Sequence, residues 1–97
     1  MRALLEVTLD TQTSNKLITD GAIRPLFEQI MGQLKPEAAY FFNRGGRRAM
    51  VLVTDVPDEA ALVATCEPFW LQLGAEVDVH LCMNAEELAE GLARRGR

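Results

Sequence analysis

The chain opens on near-strict alternation. Ala3, Leu5, Val7 and Leu9 interleave with Arg2, Leu4, Glu6 and Thr8, the period of a strand with one buried face. A polar, turn-rich stretch over 10–21 follows, with one apolar pair, Leu17-Ile18. It reads as a short helix or loop, with Ser14 or Asp20 as its cap. Ile23, Leu26, Phe27, Ile30 and Leu34 then recur at three- and four-residue spacing, one apolar stripe of a helix. Pro25 suits its first turn, and Lys35-Pro36 stops it. Two apolar runs, 37–43 and 48–55, flank Gly45-Gly46 and predict a hairpin. After Asp58, a candidate N-cap, Leu62, Cys66, Phe69, Trp70 and Leu73 form a second helical stripe. Pro68 lies inside it and is expected to kink or split the helix. Residues 75–82 alternate again, and Asn84 caps a short final helix with Glu86 and Glu87 in its first turn.

The order is therefore β-α-β-β-α-β plus a tail helix. It predicts an α+β fold of ferredoxin-like plan: an antiparallel sheet with its helices on one face, in a single domain over 1–97. The helix side is expected to hold Leu5, Val7, Ala39, Phe41, Val51, Val53, Val77, Val79 and Leu81. Leu4, Glu6, Thr8, Tyr40, Phe42, Met50, Leu52, Thr54, Asp78, His80 and Cys82 are expected on the other side. A face turned to water should be mainly polar. Leu4, Phe42, Met50 and Leu52 make this one too apolar to stay wet. A twofold dimer, sheet against sheet, is the simplest cover.

Composition agrees with a globular domain: 48% hydrophobic, 25% charged. A net charge of −4 speaks against nucleic-acid backbones and anionic membranes as partners. No apolar run reaches membrane-spanning length. Glu6, Thr8 and Asp10 interrupt any signal-like start, so a cytoplasmic protein is expected. Cys66 and Cys82 have neither metal-ligand nor CxxC spacing and read as free thiols.

The segment Met50–Pro57 leads into a helix with Glu67-Pro68-Phe69 and then the strand Glu76–Leu81. This resembles the dimeric α/β-barrel superfamily, whose small members include muconolactone isomerase and antibiotic-biosynthesis-type monooxygenases. Leu34–Phe41 is similar to a set of uncharacterised bacterial proteins of that superfamily, and that likeness covers most of the chain. The resemblance implies a barrel-forming homodimer. It carries over no catalytic residue, because the loop before the first helix differs from that of the isomerase. A shared fold is not a shared function.

Candidate chemistry centres on His80, the one histidine and the side chain suited to proton transfer near neutral pH. Asp78 shares its strand and Glu6 the neighbouring one. A carboxylate beside an imidazole raises its pKa and fixes its tautomer. His80, Glu6 and Tyr40 are the catalytic candidates; Asp78, Thr54, Glu67 and Trp70 are the ligand-binding candidates. The plainer alternative is a polar network that sets dimer register. Trp70 and Phe69 equally fit a core stripe. Arg44, Arg47 and Arg48 would hold an anion or simply protect a sheet edge. Lys16 and the 10–21 segment would form a lid or a plain crossover. No metal cluster or cofactor motif is legible, so no metal or cofactor is expected. Three functions follow: a dimer that binds a small organic molecule between sheet and helices, a cofactor-independent isomerase or monooxygenase-like enzyme, or a protein-interaction module using the open sheet face.

Overall fold

The structure is a computed structural model and describes residues 1–96. Its elements are β1 (Arg2–Thr8), α1 (Thr11–Thr19), α2 (Ile23–Leu34), β2 (Ala38–Arg44), β3 (Arg47–Asp55), α3 (Ala61–Leu73), β4 (Glu76–Leu81) and α4 (Ala85–Arg94). The α+β class holds: four antiparallel strands in the order β2-β3-β1-β4, with four helices.

Register fixes the two faces. Directly paired residues share a side, and β1 pairs Ala3, Leu5 and Val7 with Thr54, Leu52 and Met50. These six side chains are buried together with Ile30 of α2 and with Phe69 and Leu73 of α3. Phe41 of β2 stacks on Phe27 of α2 at 6.0 Å between ring centres. The expected alternation holds on β1, β2 and β4 and is inverted on β3. Met50, Leu52 and Thr54 face the helices, while Val51 and Val53 join Leu4 and Glu6 on the open side. Ala49–Val53 is apolar at every position, so a period of two cannot choose between its faces; pairing to β1 does.

Local chemistry explains the element ends. Asp10, not Ser14 or Asp20, is the N-cap of α1, accepting from Thr13 N at 2.9 Å. Ser14 is buried, and Arg48 donates to its hydroxyl at 2.8 Å. The expected stop of α2 is at Lys35, in the left-handed conformation with φ 45°. Gly45 and Gly46 both take positive φ, 57° and 85°, as a two-residue hairpin turn of the primed kind requires. Asp58 Oδ1 accepts from Ala61 N at 2.8 Å at the start of α3. Pro68, expected to kink or split that helix, does not split it. Asn84 and Glu87 form a full capping box at the start of α4.

The radius of gyration is 15.5 Å and the longest dimension 56 Å. A compact domain of this length has a radius of about 12.5 Å. The excess is α4: every described residue after Cys82 is exposed. No helix among the described residues is long and apolar enough to cross a membrane.

Candidate functional site

Three of the expected site residues meet on the open side of the sheet. Glu6 and Asp78 sit directly opposite one another across β1 and β4. His80 pairs with Leu4, which puts it diagonal to Glu6, within reach of long side chains. Glu6 Oε2 also accepts from Arg44 Nη1 at 3.1 Å, and the same guanidinium lies 5.3 Å from the Phe42 ring centre. Tyr40 is on this face but pairs with Val51, two strands and about 9–10 Å from Glu6. It is 68% exposed. Glu6, Asp78 and His80 form a carboxylate–imidazole patch; Tyr40 stands apart from it.

Thr54 is corrected. It is buried on the helix side, and its hydroxyl donates to Leu34 O at 2.8 Å, so it cannot orient a ligand beside His80. Trp70 lies outside the core stripe expected for it. Cys66, Phe69 and Leu73 are the buried stripe of α3, and Trp70 is 43% exposed. Glu67 is partly buried on the same helix. Neither residue reaches the open face.

The structure adds a site that periodicity did not reveal. A cavity of about 240 Å³ lies on the helix side, at the end where β1 begins and β4 ends. Ala3, Val79 and Leu81 form its floor; Val56, Leu62 and Met1 form its walls. Asp58 and Glu59 stand at its rim. Asp58 is engaged in starting α3. The Glu59 carboxylate has no hydrogen-bond or ion-pair partner among the described residues. Ala3, Leu62, Val79 and Leu81 read as ordinary core in the sequence, and Asp58 as a helix cap. The cavity arises because β1, β4, the 56–60 loop and α3 meet there without filling the space.

A polar recess lies beside it, where Arg2 bridges Glu37 and Glu87. The Glu37 carboxylate raises the already high pKa of this guanidinium. The charges in that recess are internally satisfied. A more open groove of about 490 Å³, between the end of α2 and the start of α3, has a mixed lining. No group of three or more His, Cys, Asp or Glu among the described residues is placed to hold a metal ion. Burial pushes the Cys66 thiol up, which keeps it protonated and inert, and both cysteines are free. No protein-family model matches the chain, and a comparison with curated proteins finds no match.

Proposed function

We propose that the protein is a homodimer of ferredoxin-like plan, two sheets face to face as a dimeric α/β barrel, which binds a small apolar organic molecule in the cavity between β1, β4 and α3. The single observation that carries the ligand reading is that cavity: apolar walls of Ala3, Val56, Leu62, Val79 and Leu81 with a carboxylate at the mouth. Concave, mainly apolar sites with few polar groups are the usual form of small-molecule sites. Glu59 favours a neutral or cationic end on the ligand and disfavours an anion. The strand order β4-β1-β3-β2 supports the ferredoxin-like plan. The open face supports the dimer: Leu4, Val51, Val53 and Phe42 are more apolar than a wet face should be.

A second reading, proton-transfer catalysis by a cofactor-independent enzyme, is favoured by the adjacency of Glu6, Asp78 and His80. One experiment separates the two. Methyl-resolved NMR with a library of small aromatic and aliphatic amines and alcohols reports which side of the sheet responds. Shifts at Val56, Leu62, Val79 and Leu81, lost in Leu62→Trp while the protein stays folded, are the expected result. Shifts confined to Leu4, Val51 and Val53, the methyl groups on the face of His80, would instead favour the second reading and remove the cavity as the site.

A further inference from the structure

The helix α4 buries none of its residues on the chain that carries it, yet it is built with care. Asn84 and Glu87 close a capping box, and Arg94 pairs with Glu90 one turn on. Ala85, Leu88, Ala89, Leu92 and Ala93 recur at the spacing of a single apolar stripe. Leu88 is 50% exposed and Leu92 57%. A helix of ten residues is marginal in water without a surface to pack on.

Its own sheet is on the wrong side. Glu87 ties α4 to Arg2, which shares the open face with Leu4. At about 100° per residue, the stripe lies roughly 100–240° round the axis from Glu87. The apolar side therefore points away from the body.

We propose that α4 is an arm that crosses to a second copy of the chain and seats its Leu88–Leu92 stripe against that copy's β2–β3 hairpin. The inference rests on the face-to-face dimer proposed above. The root of the arm, at Arg2 and Cys82, lies at one end of the sheet; Gly45 and Gly46 lie at the other. A twofold axis between the sheets and across the strands exchanges these ends. The arm carries Glu86, Glu87 and Glu90 in its first two turns. The hairpin carries Arg44 and Arg47 towards the open side, whereas Arg48 is tied to Ser14 and Asn15 on the helix side. Arg47 has only a distant carboxylate, Glu76 at 3.9 Å, so it is available to an incoming acid. Tyr40 and Phe42, both exposed on β2, offer the apolar seat. Acidic arm and basic hairpin are complementary between two copies and too far apart within one.

Sedimentation equilibrium on the full chain tests this. The double substitution Leu88→Asn/Leu92→Asn should weaken the dimer about tenfold or more, as loss of two buried leucines does. The thermal midpoint of the monomer should not move, because α4 buries nothing there. Glu86→Arg should also weaken the dimer, and adding Arg47→Glu should restore it. If Leu88→Asn/Leu92→Asn dimerises as tightly as the parent while Val51→Lys dissociates it, the arm is overturned and the sheet dimer stands. Weakening without rescue in the charge exchange overturns the hairpin as the seat. A parent chain that stays monomeric removes the dimer and the arm together.

Discussion

Asp10 holds the start of α1 by accepting from both the backbone N–H and the hydroxyl of Thr13, at 2.9 and 2.8 Å. Those hydrogen bonds, the backbone one first, lower its pKa. A carboxylate whose folded pKa lies below its unfolded value, about 3.9, stabilises the fold fully above that value. The stabilisation is lost as the pH falls through the folded pKa. Asparagine caps as well as aspartate but does not titrate. Asp10→Asn should therefore match the parent thermal midpoint near neutral pH and lose less as the pH falls below about 4. Parallel acid limbs for the two proteins would contradict this role. At the same scale, Trp70 shows what adjacency hides. Phe69 and Trp70 both fit an apolar stripe, but only one of two neighbours faces the core of a helix. Spacing from Cys66 and Leu73 admits either; burial of Thr65, one turn before Phe69, turns Phe69 inward and leaves Trp70 outside.

Elements were legible where local chemistry and burial agreed. β1 and β4 alternate cleanly, the Gly45-Gly46 turn allows only a tight hairpin, and the Asn84 box marks α4 without ambiguity. β3 was legible as a strand but not as to face, because its partners on β1 decide which of two apolar sets is buried. That inversion moved Thr54 from the candidate site into the core and replaced Met50 and Leu52 by Val51 and Val53 on the open side. The mixed character of that side survived the exchange. The end of α2 gives a prediction at this scale. Lys35 takes φ 45°, ψ 59°, where a side chain clashes and glycine does not. Lys35→Gly should stabilise the protein by about 0.5–1 kcal/mol in urea unfolding, the relief of strain exceeding the added chain entropy of glycine. A loss of stability would mean that Lys35 makes a contact that outweighs its strain.

The whole molecule has two unfinished surfaces, and they lie on opposite sides of the sheet. The apolar cavity lies on the helix side between β1, β4, the 56–60 loop and α3. It was illegible in the sequence because a void is a property of how elements meet, not of any residue pattern. The open side carries Leu4, Val51, Val53, Tyr40 and Phe42 around Glu6, Asp78 and His80, and α4 leaves from one end of it. Covering that side with a second copy would bury the apolar members, enclose the carboxylate–imidazole patch and give α4 a surface. The dimer is thus the claim on which the barrel, the arm and any chemistry at His80 all depend. Sedimentation velocity measures it directly. A face-to-face dimer sediments at micromolar concentration as one species of twice the 10.8 kDa chain mass and falls to the chain mass in Val51→Lys, with the fold intact. A parent protein that sediments at the mass of one chain, or a Val51→Lys variant that remains dimeric, would contradict it.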